Sequence, residues 1–297
     1  VARYRVFMIG LVATAIIVVG SLVVFRLVRG PPSLVPKGQA PVLAVLPFEN
    51  LGAAGDEYFA DGMTAEITSR LARLSGLAVI ARTSAIQYKK TTKSTNQVSQ
   101  ELGAHYLLEG TVRWEKGPAG SRVRISPQLI RATDGVNVWA EPYEEPYGTE
   151  IFKMQAAIAE RVAQAMSVTL LAAEHRAVGG KPTENLEAYD YYLRGRQYLD
   201  RNFGQDWAGL QRAVQSLESA VAADSQFALG HAWLAQAHVS MWLAGYDLSQ
   251  PAGMTRAQRF AMVDEAVNRA LRIEPDLPEA HVARLWYLEV LGDRAGA

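Results

Sequence analysis

The sequence predicts an α/β mixed-sheet domain followed by an all-α region of helical repeats, with a single N-terminal transmembrane helix. Three observations indicate this fold class: a charge-free apolar run at residues 6–25, alternating strand and helix patterns up to residue 172, and self-similar helical segments after residue 186. A helix of that apolar run would be about 30 Å long, enough to cross the hydrocarbon core of a bilayer. The predicted divisions are a transmembrane anchor at 1–29, a proline-rich linker at 30–40, the α/β domain at 41–172, a hinge at 173–185, and repeats at 186–297 with the last one incomplete.

The apolar run Val6–Phe25 is better explained as a retained membrane helix than as a cleaved signal peptide. A signal peptide has a hydrophobic region of about 7–15 residues and a small-residue cleavage site. Here the run is longer and is followed by Arg26 and Arg29. A buried core helix is the remaining alternative. Because basic residues also precede the run, at Arg3 and Arg5, the positive-inside rule does not assign an orientation.

Composition excludes several classes of function. Acidic and basic residues balance at 30 each, so bulk charge does not favour nucleic acid, and we expect no nucleic-acid contact. The absence of cysteine excludes disulfides, thiolate catalysis and cysteine-based metal sites. The chain starts at Val1 and stops at Ala297 directly after a helical pattern, so we expect a piece of a longer protein. A valine start from an alternative initiation codon would also explain Val1.

The first part of the α/β domain begins with a strand and a helix. The run Val42–Phe48 predicts a buried strand ended by turn residues. Glu57–Leu74 carries apolar residues at spacings of four, four and three, which is typical of an amphipathic helix. A second helix is predicted at Ser94–Leu102, with Ser94 or Thr95 as its N-cap.

With its remaining elements, the whole domain is predicted to be a mixed sheet with helices, in the order β-α-β-α-β-β-β-α. Pro127 cannot donate a ladder hydrogen bond, so its strand is predicted to be an edge strand or to bulge at that point. Asp134–Gly135 is a hairpin-turn signal, and a long helix, Ile151–Leu171, closes the domain. The further predicted strands are Leu77–Ile80, His105–Trp114, Arg122–Arg131 and Val136–Tyr143.

The C-terminal region contains an internal repeat. Val221–Trp233 and Leu271–Ala283 align without gaps at an offset of 50 residues. A tetratricopeptide unit has about 34 residues, so an insertion is needed, and Gly245–Thr255 has the composition of one. Leu186–Ala297 is therefore predicted to hold two and a half tetratricopeptide-type repeats. The equivalent pairs are Ala220 with Ala270, Asp224 with Glu274, and His231 with His281.

Five motifs in the middle of the chain carry a family resemblance. In order along the chain, these motifs are PVLAVLPFENL, EYFADGMTAEI, ARTSAIQYK, ELGAHYLLEGTVR and QLIRATDGVNVWAEPYE. Together they resemble the TolB-type amino-terminal domain of membrane-anchored bacterial signalling proteins, over about Pro41–Ala172. The loop Leu51–Glu57 is shorter than in that family. The resemblance implies a single-pass protein of the bacterial inner membrane, with the residues after about 30 in the periplasm. It also implies a cytoplasmic output domain, which is a winged-helix regulator, a Ser/Thr kinase or a class III nucleotide cyclase.

Two polar motifs in this domain have both a functional and a structural interpretation. Asp61 could be a binding or catalytic carboxylate, but a position at the N-cap or in the first turn of a helix is favoured. The triplet Arg82, Thr83 and Ser84 follows a strand at an end of the sheet, where α/β proteins often bind ligands. It could hold an anion or cap the following turn.

No catalytic, cofactor or metal site is predicted. The sequence lacks the phosphate-binding, zinc-protease, serine-hydrolase, kinase and cyclase signatures. His231 and His238 are seven residues apart and could form a metal pair on one helix face. The recurrence of His231 as His281 in the next repeat favours a packing role instead.

The helical repeats are the predicted binding surface, because stacked helix pairs form grooves that accept peptides or helices. Aromatic residues are enriched at interfaces. We assign Tyr192, Trp207, Trp233 and Trp242 as candidate contacts for protein or peptide partners, although most aromatic residues of the region should pack in its core. A homodimer is also considered.

The functional hypothesis is a non-catalytic, membrane-anchored sensor and scaffold that relays binding to an output domain outside this chain. In one alternative, the chain is part of a Ser/Thr kinase or nucleotide cyclase whose catalytic domain precedes Val1. In the other, it is an envelope assembly scaffold without an output domain.

Overall fold

The computed structural model describes residues 40–118, 120–201, 206–249 and 253–292. The strands are β1 Val42–Val45, β2 Glu49–Asn50, β3 Ala78–Val79, β4 Tyr106–Glu115, β5 Arg122–Arg131, β6 Val136–Ala140 and β7 Tyr143–Pro146. The helices are α1 Glu57–Ala72, α2 Arg82–Ala85, α3 Thr95–Leu102, α4 Glu150–Ala165, α5 Ala172–Gly179, α6 Leu186–Arg201, α7 Trp207–Ala223, α8 Ala228–Leu243, α9 Tyr246–Ser249, α10 Arg256–Ile273 and α11 Pro278–Leu291.

The structure corrects the prediction of a single transmembrane helix. Within the described residues, no helix combines the length and the apolar character needed to cross a bilayer. The longest described helix, α10, has 18 residues, and six of them are charged, which makes its insertion into hydrocarbon costly. The run predicted to span, residues 6–25, lies outside the described residues, as does the linker up to residue 39.

The sheet is mixed, as predicted. Its order is β3-β1-β4-β5-β6, with β2 beside β4 and β7 beside β5. β1 runs parallel to β3 and β4, because helices connect these strands. β4, β5, β6 and β7 follow one another along the chain and pair antiparallel. The residues predicted as one strand, Val136–Tyr143, are divided between β6 and β7, which occupy successive parts of the same edge of β5.

Pro127 lies in an internal strand, which corrects the prediction of an edge strand or a bulge at that residue. β5 has β4 on one side and β6 and β7 on the other, and its register shift lies between Leu129 and Ile130. On the β6 and β7 side, Pro127 falls between the two partner strands, so its missing N–H interrupts no pairing there. On the other side it lies opposite Gly110. A Cβ on Gly110 would come within 2.9 Å of the Pro127 Cα, so this close approach requires glycine.

The predicted capped helix is confirmed at α3. Ser94 is the N-cap, and its Oγ accepts a hydrogen bond from the Gln97 backbone N–H at 3.4 Å. The Gln97 side chain in turn accepts from the Ser94 N–H at 2.9 Å. This capping box satisfies two N–H groups that have no partner within the helix. Gly103, with φ of 64°, ends the helix in the left-handed region.

Helix α1 is buried on all sides, with thirteen of its sixteen residues inaccessible. One side packs on the sheet, where the rings of Phe59 and Trp114 have centres 4.5 Å apart. The other side packs on α6. A Cβ on Gly62 would lie only 2.7 Å from Leu193 Cδ2 of α6, so glycine permits the close helix–helix contact. Helix α1 therefore joins the sheet to the helical region.

The segment 173–185, predicted as a hinge, contains most of α5. Helix α5 packs on α4 and α1. Arg70 of α1 donates to the backbone carbonyl oxygens of Val178 and Gly180, the latter at 3.0 Å. These bonds satisfy carbonyl groups at the C-terminal end of α5, which have no partner within the helix.

The helical region follows the 50-residue offset predicted from sequence. His231 Nε2 lies 3.2 Å from the Ser225 carbonyl oxygen, and His281 Nε2 lies 2.8 Å from the Pro275 carbonyl oxygen. The helices that precede these histidines, α7 and α10, end with equivalent backbone hydrogen bonds. The Asp224 N–H donates to the Ala220 carbonyl oxygen in α7, and the Glu274 N–H donates to the Ala270 carbonyl oxygen in α10. Helix α9 lies between α8 and α10, where an insertion was predicted. Helices α6 and α7 pack together as one hairpin, and α8 and α10 as another. Helix α11 follows α10 in the same local geometry as α8 follows α7.

Candidate functional site

The structure places the predicted aromatic contacts in different environments. Tyr192 is fully buried and donates its hydroxyl to Glu66 Oε1 at 2.7 Å. It is therefore a packing residue, which corrects its assignment to a binding surface. Helix α1 covers the face of α6 that carries Tyr192, and the sequence pattern of α6 alone does not reveal this cover.

The other three aromatic residues are more accessible. Trp233 is half-buried, and the Arg196 guanidinium lies 4.1 Å from its ring centre. Trp242 is half-buried beside Phe260. Trp207 is 39% exposed at the start of α7. Trp233 and Trp242 both lie on α8 and Trp207 lies on α7, and only Trp207 is exposed among the three.

The triplet predicted to hold an anion is engaged by the protein itself. Arg82 pairs with the carboxylate of Asp200 on α6. Burial, together with the nearby Arg196, lowers the pKa of Arg82 to about 10. Thr83 is exposed, and the Ser84 N–H donates to the Ala81 carbonyl oxygen within a helical turn. The anion held by Arg82 in this structure is thus a carboxylate of the neighbouring helix.

Asp61 has a structural role, as favoured, but not at the predicted position. It is buried in the second turn of α1 rather than at the N-cap or in the first turn. Lys89 forms an ion pair with it, and Gln197 Nε2 of α6 donates to its Oδ2 at 2.9 Å. Asp61 therefore connects α1 to α6.

A polar seam between α1 and α6 was not predicted from sequence. We define the α1–α6 seam by Glu66 and Tyr58 of α1 and by Tyr192, Arg196 and Asp190 of α6. Glu66 Oε1 accepts from the Tyr192 hydroxyl and from Arg196 Nη1, both at 2.7 Å. The Tyr58 hydroxyl donates to Asp190 Oδ1 at 2.6 Å. Burial and the Asp190 carboxylate raise the pKa of Tyr58, so the hydroxyl keeps its proton and donates.

A cleft of about 460 Å³ lies next to this seam. We call it the α1–α11 cleft. Its walls are the C-terminal half of α1, residues 176–182, Leu229 of α8, and residues 274–279, which include the start of α11. Arg73 Nη2 and Glu279 Oε2 are 3.4 Å apart and join the two walls.

The charged groups in the α1–α11 cleft are of both signs. Four cationic side chains and four carboxylates line it. Burial, assisted by the carboxylates of Glu279 and Asp276, raises the pKa of Glu274. Arg70 is buried, and its Nε has no hydrogen-bond partner among the described residues. The cleft therefore offers hydrogen-bond donors and acceptors together, and within the described residues no cluster of ligating side chains suits a metal ion.

Comparison with known sequences finds a relative that matches most of this chain. No protein-family model matches the chain. The chain is 34% identical over 239 residues to the protein of Rhizobium meliloti (strain 1021) named "Putative adenylate cyclase 3". The match covers 80% of this chain but only 38% of the relative. The chain thus spans about two fifths of the length of the curated relative it matches.

Solved structures similar to parts of the chain include TolB and a lipoprotein. TolB from Acinetobacter baumannii is 17% identical over 43% of this chain and 29% of its own, with a TM-score of 0.33. Lipoprotein GNA1162 from Neisseria meningitidis is 17% identical over 41% of this chain and 96% of its own, with a TM-score of 0.32. Both TM-scores are below 0.5, and nothing about the function of this chain follows from them.

Proposed function

We propose that the described residues form a non-catalytic, protein-binding module of a bacterial signalling protein, and that a segment of a partner protein binds in the α1–α11 cleft. The observation that carries this proposal is the composition of the cleft walls. Four cations, four carboxylates and the apolar side chains of Leu229, Leu277 and Pro278 line it. A peptide supplies backbone donors and acceptors and side chains of both charges, so it can satisfy such a lining. A simple anion or cation would meet groups of its own sign.

The size and the helical setting of the cleft support the same proposal. Its volume lies in the range of about 300–1,000 Å³ that is usual for ligand sites. Paired helices present surfaces to extended peptides or helices. We propose that the hairpins α6–α7 and α8–α10 are tetratricopeptide-type repeats. Support comes from the matching hydrogen bonds of His231 at the start of α8 and His281 at the start of α11, 50 residues apart.

Peptide selection tests the proposed cleft. A random peptide library displayed on phage is selected on the chain, and the recovered peptides are measured against variants by isothermal titration. Arg73→Ala combined with Lys181→Ala is expected to weaken binding at least tenfold, because it removes two cations from the cleft. Lys153→Ala, an exposed residue of α4 outside the cleft, is the matched control. Peptides that bind the native chain, the double variant and Lys153→Ala equally would contradict the assignment of the α1–α11 cleft as the binding site.

The name of the relative favours an adenylate cyclase as the complete protein, ahead of a Ser/Thr kinase. We propose that the residues described here are a non-catalytic part of a protein of that class. With ATP and a divalent metal ion, the chain is expected to form no cyclic AMP and the complete gene product is expected to form it. Cyclic AMP formation by the chain alone would contradict its non-catalytic role.

A location in the bacterial envelope belongs to the same proposal and is supported by the five motifs shared with TolB-type domains. A periplasm-active reporter fused after Ala172 is expected to be active, and a cytoplasm-active reporter inactive. The reverse pattern would contradict this location. An envelope scaffold without an output domain would give the same reporter result but no cyclic AMP from the complete gene product. The homodimer stays a prediction, which light scattering tests.

A further inference from the structure

A second cavity lies on the opposite face of α8. It has a volume of about 570 Å³ and lies between α7, α8 and α10. Its residues on α8 are His231, Leu234 and His238, whereas Leu229 faces the α1–α11 cleft. At 100° per residue, these three positions lie about 140–200° around the helix from Leu229. The two cavities have no lining residue in common.

The second cavity is lined by a histidine that has a hydrogen-bond donor without a partner among the described residues. His238 is only 1% exposed, and its Nδ1 lies 2.9 Å from Arg259 Nη1. Because arginine only donates, Nδ1 accepts and the proton of the ring is on Nε2. No described protein group bonds to this Nε2–H. Burial and the Arg259 cation lower the pKa of His238 to about 4, so the ring stays neutral near pH 7.

The geometry of His238 is fixed by a buried ion pair. Arg259 Nε donates to Asp247 Oδ2 at 2.9 Å, and Arg259 Nη2 donates to Oδ1 at 2.6 Å. The Met254 N–H also donates to Asp247. Burying such a pair costs desolvation energy that its mutual attraction only partly offsets.

This network is not part of the repeated packing. Asp247 belongs to α9, in the segment between α8 and α10 that the repeat alignment treats as an insertion. At the offset of 50 residues, Leu288 corresponds to His238 and Gly209 to Arg259. The hairpin α6–α7 forms without this network, so the repeat fold does not require it. Through Arg259, Asp247 of the insertion holds the imidazole of α8 at the cavity.

We propose that the second cavity binds a small uncharged molecule in which an apolar body carries a hydrogen-bond acceptor, and that His238 Nε2–H donates to that acceptor. The apolar part of the cavity wall consists of Val221, Leu234, Met262 and Ala266. The charges of Asp247 and Arg259 cancel, and His238 is neutral. The two carboxylates and two arginines that line the cavity also balance each other. The volume is typical of small-molecule sites. The site is separate from the α1–α11 cleft and does not depend on the peptide proposal.

The test uses N,N-dimethylhexanamide, which has an apolar chain and an acceptor but no donor. Its binding to the chain is followed by nitrogen-15 NMR of the histidine side chains. For a ligand of this size we expect a Kd of about 1 mM and a downfield shift of the His238 Nε2–H proton. Hexanoate, an anion of similar shape, is expected to bind at least tenfold more weakly. A His238 signal that does not move at saturation, or tighter binding of hexanoate, would overturn the proposal.

Variants separate the donor from the cavity shape. His238→Phe keeps a ring but removes the donor, and it is expected to weaken binding at least tenfold. His281→Phe, at an exposed histidine outside the cavity, is the control and is expected to bind as the native chain does. Equal binding by His238→Phe would overturn the proposal, and if that variant does not fold, the NMR shift in the native chain decides. Displacement of the amide by peptides selected on the chain would also overturn it, because the cavity would then be part of a peptide surface.

Discussion

Arg196 of α6 donates a hydrogen bond from Nη1 to Glu66 Oε1 of α1 at 2.7 Å, and both side chains are about 95% buried. This pair lies at the contact between the helix that covers the sheet and the first helix of the hairpins. The same carboxylate accepts from Tyr192. The pair therefore ties the two parts of the molecule together beside the α1–α11 cleft.

Removing one member of this pair should be strongly destabilising. Glu66→Ala leaves the Arg196 cation buried without its carboxylate, and we expect the free energy of unfolding to fall by about 3–5 kcal/mol. Urea denaturation of the single variants and of the double variant Glu66→Met, Arg196→Met measures this effect. The double variant should recover most of the loss, since it leaves no unpaired buried charge. A loss below about 1 kcal/mol for Glu66→Ala would show that the seam does not hold α1 to α6.

The close approach of α1 and α6 gives a second prediction. Gly62→Ala places a methyl group 2.7 Å from Leu193 Cδ2, and Leu193 is fully buried. Overpacking of this kind usually costs about 1–3 kcal/mol, which thermal unfolding measures. Gly179→Ala is the control, because a Cβ there meets nothing within 4 Å, and it should leave the melting temperature nearly unchanged. Equal behaviour of the two variants would contradict the tight contact at Gly62.

Stability should fall between pH 6.5 and pH 4 because of His238. In the unfolded chain this histidine has its usual pKa of 6.5 and is protonated below that pH. In the folded protein its pKa is about 4. Unfolding therefore takes up a proton in this window, and the free energy of unfolding decreases as the pH falls. The difference between the two pKa values corresponds to about 3 kcal/mol. Urea denaturation at several pH values should show a shallower pH dependence for His238→Gln than for the native chain, and identical slopes would contradict the buried neutral ring.

The capping box of α3 predicts a local effect. Ser94→Ala removes the side-chain acceptor for the Gln97 N–H, and such changes usually cost about 1 kcal/mol. Ser219→Ala serves as the control, since Ser219 is half-buried within α7 and its hydroxyl donates to the Gln215 carbonyl oxygen of its own helix. Its effect should stay within about 0.5 kcal/mol. Hydrogen exchange should also become faster in α3 for the first variant alone, and unchanged exchange would show that the cap does not stabilise the helix.

Local features of this fold are readable from the sequence, whereas the contacts between its parts are not. The cap at Ser94 and the 50-residue offset between His231 and His281 depend on neighbours a few residues apart, so pattern and spacing predict them. The pair of Glu66 with Arg196 joins residues 130 positions apart. No local spacing indicates which helix covers which, and this is why Tyr192 was assigned to a binding surface.

The seam also explains why the cleft was not predicted. The charged groups of the cleft come from α1, from residues 176–182 and from residues 274–279 at the start of α11, which are far apart in sequence. The aromatic residues of α6, α7 and α8 gave a stronger signal for binding than these scattered charges. The packing of α1 on α6, of α5 on α1 and of α11 on α8 brings the charges together.

Hydrogen exchange with a peptide selected on the chain tests whether the α1–α11 cleft is the partner-binding site. Bound peptide should slow exchange in the last turn of α1, around Arg70 and Arg73, and in residues 274–279, while exchange in α4 around Lys153 stays the same. Protection confined to other surfaces, with residues 70–73 and 274–279 unchanged, would contradict the assignment of the α1–α11 cleft as the partner-binding site.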